Sequence, residues 1–198
     1  MKPNKSAIIA GRFKGKAFLL PPTEGTRPTK SIVRESFFNT VQDFLDEETA
    51  FVEVFGGSGS MGLEAASRGV GHLYFLEQNS VAVQTLKKNL KAFGLEAKVL
   101  EGDSFQRVRE VYEALDYAEI PALYYMDPPF AIRENFSDIY EKVCALIRKI
   151  PHKARTMVVV EHASEQEFTA PVGDFIPFKN RRFGKTSLTY FLPGELLE

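Results

Sequence analysis

Asp127-Pro128-Pro129-Phe130 is the stretch of this 198-residue chain whose residue types point most directly to chemistry. It follows the apolar run Ala122–Met126, which reads as a buried strand, and it precedes a segment of helical periodicity. An acid and two prolines at a strand exit make a stiff, open turn, because neither proline has an N–H and each ring holds φ at about −65°. The Asp127 carboxylate and the carbonyls of Asp127 and Pro128 become acceptors facing a crevice, and Phe130 supplies a flat apolar face beside them. Such a set suits an amino group on a planar base. That amine is a weak nucleophile, since its lone pair is delocalised into the ring. Acceptors on its two N–H bonds favour the pyramidal, nucleophilic form, while the aromatic side chain stacks on the base. A four-residue motif also arises in ordinary Pro-Pro loops, so its weight depends on a partner elsewhere.

That partner lies upstream, in Glu53-Val-Phe55-Gly-Gly57-Ser58-Gly59-Ser-Met-Gly62. Gly57, Gly59 and Gly62 give a G-x-G-x-x-G pattern between an apolar strand-like run and a helical one, the context this pattern requires. Glu77 ends the next strand-like run, where an acid can accept both hydroxyls of an adenosine ribose. Asp103, in Gly102-Asp103-Ser104, stands after the third strand, in reach of an adenine amino group. Two ligands use such acids: a nicotinamide dinucleotide and S-adenosylmethionine. Glu53, just ahead of the glycines, suits the cationic methionine moiety and repels a pyrophosphate. Asp127–Phe130 has no task in hydride transfer, yet is accounted for if a methyl group goes to an amine. The reading is therefore a methyltransferase, with Glu53, Phe55, Gly57, Ser58, Gly59, Gly62, Glu77, Gln78, Asp103 and Ser104 as the expected cofactor residues.

Alternating elements must position these groups. Strands are expected at Phe51–Phe55, His72–Leu76, Ala97–Leu100, Ala122–Met126 and Thr156–Glu161, with helices at Ser60–Arg68, Val81–Phe93 and Phe105–Leu115 between them. After Phe130 a further helix buries Phe136, Ile139, Tyr140, Val143 and Ile147. Repeated βα units of this length imply a mostly parallel sheet covered on both faces, a doubly wound α/β, Rossmann-like domain from residue 51. The final pair, Asp174–Phe178 and Ser187–Leu192, joined through Arg181-Arg182-Phe-Gly-Lys185, makes a terminal antiparallel hairpin and brings the expected total to seven strands. If residues 174–178 run parallel to the central strands, that turn emerges on the ligand edge, where three cations can grip RNA phosphates.

Residues 1–29 read as a small basic arm. Ser6–Ala10 and Lys16–Leu20 flank Gly11-Arg12-Phe13-Lys14-Gly15, a β-hairpin whose tip carries cations beside an aromatic. Residues 1–34 hold eight Lys or Arg against the single acid Glu24, although the chain's net charge is −1. A basic arm on an acidic body suits contact with a polyanion. A helix over 31–45, capped by Thr29 or Ser31, presents Ile32, Val33, Phe37, Phe38, Val41, Phe44 and Leu45 to a core, with Arg34 and Glu35 turned away. Arg12, Lys14, Arg27, Arg34, Arg181, Arg182 and Lys185 are the expected nucleic-acid contacts. One cysteine excludes an internal disulfide, the three histidines lack ligand spacing, and no metal is expected. Nothing reaches the apolar length of a membrane span, so a cytoplasmic location is expected.

Together these residues resemble the S-adenosylmethionine-dependent amino-methyltransferases with an Asp/Asn-Pro-Pro-aromatic motif, and more closely the bacterial 16S ribosomal RNA guanine-N2 methyltransferases. Ile8–Gly15 is similar to that family's opening hairpin. Arg27-Pro-Thr29 with Val33-Arg-Glu35 and Phe38-Asn39 is similar to its arm-to-helix segment, Phe55–Gly59 and Gly62–Ala65 to its cofactor loop, and Asp127–Phe130 to its catalytic turn. Glu53 stands where Asp is more usual, Gly56 where Ala is common, and Asn79 where an Asp follows the ribose acid; no role is assigned to Asn79. The resemblance implies a class I methyltransferase fold. It further implies S-adenosylmethionine as cofactor and methyl transfer to a guanine N2 of 16S rRNA, guanine 966, within an assembled or assembling small subunit, by a monomer. Asp127 would orient the amine, Pro128 would accept its second N–H, and Phe130 would stack on a base exposed in a loop or flipped out. A DNA adenine-N6 methyltransferase shares both motifs, and a non-catalytic RNA-binding assembly factor shares the fold; these are the competing readings.

Overall fold

The computed structural model describes residues 4–22, 31–129, 136–152 and 154–197. A short hairpin, β1 (Lys5–Ala7) and β2 (Ala17–Leu19), precedes helix α1 (Ser31–Val41) and a 3-10 turn at Gln42–Phe44. There follow β3 (Ala50–Glu53), α2 (Ser60–Ser67), β4 (His72–Glu77), α3 (Ser80–Phe93), β5 (Lys98–Glu101) and α4 (Ser104–Tyr117). The chain continues through β6 (Ala122–Met126), α5 (Phe136–Ile147), β7 (Thr156–Ala163), β8 (Phe175–Phe183) and β9 (Thr186–Pro193). Seven strands form one sheet in the order β5-β4-β3-β6-β7-β9-β8. The first five in that order are parallel, and β9 is antiparallel to both its neighbours.

The central strands read as unbroken apolar runs because both faces are covered: every residue of β3 and β6 is buried. Period-2 alternation divides their side chains between two cores. Phe51, Leu123, Tyr125, Val159 and Tyr190 meet α1, α2, α3 and the hairpin. Ala50, Val52, Tyr124, Val158 and Phe191 meet α4 and α5. Phe37 of α1 sits edge-on to Tyr125 at 5.1 Å and roughly parallel to Tyr190 at 6.3 Å, so α1 lies beneath the strand that leads to Asp127. From β3 the chain steps first to one side, to β4 and β5, and later to the other, to β6 and β7. The strand order reverses there, and the crevice beyond the carboxyl ends of β3 and β6 is where ligands of such sheets bind.

The N-terminal hairpin is built into the first core: Ile8 and Phe18 are buried. Glu64 of α2 accepts from Ile9 N at 2.8 Å and Ala10 N at 2.9 Å. Asn89 of α3 accepts from Leu19 N at 2.8 Å and donates to Leu19 O at 2.9 Å. At the tip, Arg12 N donates to Ser67 O at 2.8 Å, and a Cβ on Gly11 would stand 1.9 Å from that same oxygen, so only glycine allows the approach.

Three sequence expectations change in this region. Arg34 does not turn outward; it is 1% exposed, with Nη2 donating to Ala7 O at 2.6 Å and Nε 3.7 Å from Glu64 Oε2. The hairpin laid over α1 leaves the guanidinium no route to solvent, and burial lowers its proton affinity against the pull of Glu64. Ile32, placed in the buried stripe, is 61% exposed. The expected single helix over 31–45 ends at Val41 and tightens into the 3-10 turn. The proposed Thr29 cap lies outside the described residues. At the other end, β8 runs on through Arg181, Arg182 and Phe183, leaving only Gly184 and Lys185 in the turn, because the ladder with β9 continues to Phe183↔Thr186.

Candidate active site

The glycine-rich loop leaves β3 at Glu53 and enters α2 through Gly59, whose φ of +77° closes the turn as N-cap. Glu53 is 4% exposed, and its carboxylate caps the helix, accepting from Gly62 N at 2.8 Å and Met61 N at 3.4 Å. The exposed amides of a helix N-terminus suit an anion, yet burial dominates here. Desolvation, against those two hydrogen bonds and aided by nearby Glu77, pushes the Glu53 pKa up to about 8. Gly62 permits this geometry, since a Cβ there would lie 2.4 Å from the Phe75 ring and 3.2 Å from Glu53 Oε2.

Glu77 closes the loop from β4. One oxygen accepts from Gly57 N at 2.8 Å and the other from Asn79 N at 2.7 Å. Each keeps a further lone pair for a donor such as a ribose hydroxyl. Asn79 caps α3, its Oδ1 accepting from Val81 N at 3.0 Å and Ala82 N at 3.1 Å. Asp103 caps α4 by accepting from Phe105 N at 2.9 Å, and it remains exposed at the crevice rim. Gln78 is exposed, whereas Ser58 and Ser104 are buried. Ser58 O accepts from Asn89 Nδ2 at 3.0 Å. Phe55 packs edge-on to Phe105 with ring centres 5.3 Å apart, an aromatic pair at the carboxyl ends of β3 and β5.

Asp127 follows β6 directly. Glu53 pairs with Tyr125 in the register of β3 and β6, which brings the cofactor loop and the Asp-Pro-Pro turn within two residues of each other across adjacent strands. Asp127 is half-buried, Pro128 buried and Pro129 exposed; Phe130 lies outside the described residues. Burial, then the charges of Glu161 and Glu53, holds the Asp127 carboxyl well above the usual carboxylate range. Glu161, near the end of β7, is 6% exposed and accepts a short hydrogen bond from the Tyr125 hydroxyl.

The expected cationic residues separate to two ends of the sheet. Because β8 runs parallel to β7, the β8–β9 turn emerges beyond the strand carboxyl ends. Ser164 N donates to Lys185 O at 3.0 Å there, and Arg181, Arg182 and Lys185 are exposed. Arg12 and Lys14 are also exposed, but at the opposite end. Their tip docks on Ser67, the last residue of α2, about 12 Å along the helix from the cofactor loop. Phe13 is not free to stack on a base, being packed edge-on to Phe93 at 5.2 Å. The arm tip therefore lies away from Asp127, at the far end of α2. Arg34, buried beneath the hairpin, offers no exposed charge to a phosphate. Arg27 lies outside the described residues.

Sequence reasoning missed Glu161, Tyr125, Glu64 and Asn89. For Asn89 a signal exists: it is a polar residue among Leu86, Leu90 and Phe93 on the buried face of α3. For Glu161 none does, because its partnership with Asp127 depends on the register of β6 against β7.

The family model described as conserved hypothetical protein 95 matches residues 6–192. The Bacillus subtilis protein "Putative rRNA methyltransferase YlbH" is 30% identical over 190 residues, spanning 93% of this chain and 97% of that protein. Haemophilus influenzae "Ribosomal RNA small subunit methyltransferase D" is 28% identical over 167 residues, spanning 83% of this chain and 82% of its own length. The solved T. thermophilus 16S rRNA N2 G1207 methyltransferase (RsmC), in complex with AdoMet and guanosine, shares the fold at a TM-score of 0.68 and 14% identity. That alignment covers 97% of this chain and 50% of the other.

Proposed function

Since this chain belongs to the family described as conserved hypothetical protein 95, we propose that it transfers a methyl group from S-adenosylmethionine to the N2 amine of a guanine in 16S rRNA, with guanine 966 as the target. The observation that carries this reading is the register that sets Glu53 of the glycine loop beside Tyr125, two residues before Asp127. It aligns a cation-binding acid and an amine-binding acid across one strand spacing. The names of the relatives support ribosomal RNA of the small subunit as substrate.

The residues fit the cofactor. Glu77 has lone pairs left for the ribose hydroxyls, and Asp103 stands exposed for the adenine amine. Glu53, costly to ionise alone, gains a counter-charge from the methionine ammonium. S-adenosylmethionine supplies an activated methyl group. Everything else falls to the protein. Asp127 and the Pro128 carbonyl would accept the two N–H bonds of the guanine amine and turn its lone pair toward the methyl carbon. Phe130 would stack on the base. Most of the rate enhancement then comes from positioning and from a fixed polar environment. Arg181, Arg182 and Lys185, at the same end of the sheet, would hold RNA phosphates and orient the chain without reading bases.

Tritium transfer from labelled S-adenosylmethionine to small subunits from cells lacking this protein tests the reading. Label in N2-methylguanosine, lost with Asp127→Ala, is the expected result. Label in N6-methyladenine of added DNA would move the activity to adenine, and RNA binding without transfer would make the chain an assembly factor.

A further inference from the structure

Glu161 has no place in the mechanism above, yet the sheet sets it directly across from Asp127. Met126 pairs with Val160, so Asp127 and Glu161 are the next residues along two adjacent parallel strands, whose spacing is about 4.8 Å. Alternation puts Glu161 on the same face as Val159 and Tyr125. The Tyr125 hydroxyl donates to Glu161 Oε2, a bond that favours the ionised form of this carboxylate. Other ionisable groups face the pair from every neighbouring element: Glu53 from β3, Tyr140 from α5 and Tyr190 from β9, with Arg34 of α1 behind Glu53 and Tyr125. Among them the charge of Glu161 acts most strongly on Asp127.

We propose that Glu161 is a positioning residue for methyl transfer: held by Tyr125, its carboxylate stands beside Asp127 and sets the protonation state in which Asp127 meets the proton that the methylated amine releases. This rests on the function proposed above. The guanine N2 lone pair forms the N–C bond as the C–S bond breaks and its electron pair passes to sulfur. N2 then carries a positive charge. Asp127 takes one N2 proton, the N–H electron pair returns to nitrogen, and the proton leaves to water once the methylated base has departed. Transfer needs Asp127 ionised, and Glu161 sets the pH at which that occurs.

Single-turnover methylation of small subunits at saturating S-adenosylmethionine, followed across pH, tests this. The wild-type rate is expected to fall on the acid side through the Asp127 titration. Glu161→Gln should move that limb down by about one to two pH units, as loss of a like charge at this range implies, with the plateau little changed. Glu161→Asp, which keeps the charge, should restore the wild-type limb. A role confined to packing would lower the rate at all pH values without moving the limb, and superimposable profiles for wild type and Glu161→Gln overturn the proposal. Carboxyl-13C NMR of the wild-type protein is independent of how the variants fold: Asp127, assigned with Asp127→Asn, should titrate above Glu161 in two linked steps. Separate titrations at ordinary carboxylate values overturn it equally. Absence of wild-type transfer to guanine, by contrast, refutes the function itself.

Discussion

Cofactor affinity should depend on pH through Glu53. In the unliganded protein this buried acid has a pKa of about 8, so at pH 7 only about one molecule in ten carries the charge that a methionine ammonium needs. Below pH 7.5 the association constant should climb about tenfold per pH unit, with close to one proton released per ligand bound. The ligand's own α-amino group loses its proton near pH 8 (about 7.7–8.0), so affinity should peak at about pH 8 and fall beyond it. The same group also bears on folding. Its folded pKa lies above the ordinary 4.5, so its contribution is fully present below pH 4.5 and is lost as pH rises through about 8. The whole difference is of order 5 kcal/mol before relaxation. Titration calorimetry from pH 6 to 9.5, in two buffers of different ionisation enthalpy, measures both affinity and proton release. Glu53→Gln should abolish the rising limb, weaken binding at pH 8, and flatten the loss of thermal stability between pH 6 and 9. Affinity independent of pH between 6 and 8, with no proton released, would refute this account of Glu53.

Arg34→Ala should cost about 3–5 kcal/mol, as loss of one partner of a buried ion pair does, and lower the melting temperature. At temperatures where the variant stays folded, its salt-dependent RNA affinity should match wild type. Replacing Arg181, Arg182 and Lys185 together by Gln should reduce the slope of log affinity against log salt by about 2–3. Arg12→Gln with Lys14→Gln should leave single-turnover methylation within about twofold, judged against the about tenfold that 1.4 kcal/mol represents. Gly62→Ala forces a methyl group into the Phe75 ring 2.4 Å away. It should destabilise the protein by about 1–3 kcal/mol and weaken cofactor binding further, as read by thermal shift with and without S-adenosylmethionine.

The parallel core was legible because each strand–helix step carries its own period. Strand ends drifted by one or two residues: β3 stops at Glu53 although its apolar run continues to Phe55, and β4 runs on past its apolar residues to Glu77. The glycine loop was readable with its flanking elements, and Asp127 with the prolines that follow it. Side-chain direction was not. Arg34 looks like any exposed cation on a helix until the hairpin is laid over it, and Glu161 looks like the end of a β-branched strand until β6 is set beside it. Charge density along the arm gave no location: the tip's position was fixed by Gly11 meeting Ser67, a contact between segments more than fifty residues apart. The basic turn at Lys185 could be placed because it follows from strand direction alone.

Asn89 joins three segments: it pairs with both backbone groups of Leu19, and its Nδ2 also reaches the Ser58 carbonyl of the cofactor loop. This fixes an order of events during synthesis. A two-stranded hairpin is marginal by itself, and the first hairpin's anchors at Glu64 and Asn89 lie 54 to 70 residues downstream. At roughly 5–20 residues per second, a nascent chain spends several seconds with this basic segment made but unanchored. The hairpin thus settles well after it is made, and the cofactor loop takes its final shape only when α3 has emerged to hold both. A chain stalled or cut before residue 89 would carry every glycine of the loop and still lack the bracket that gives it form.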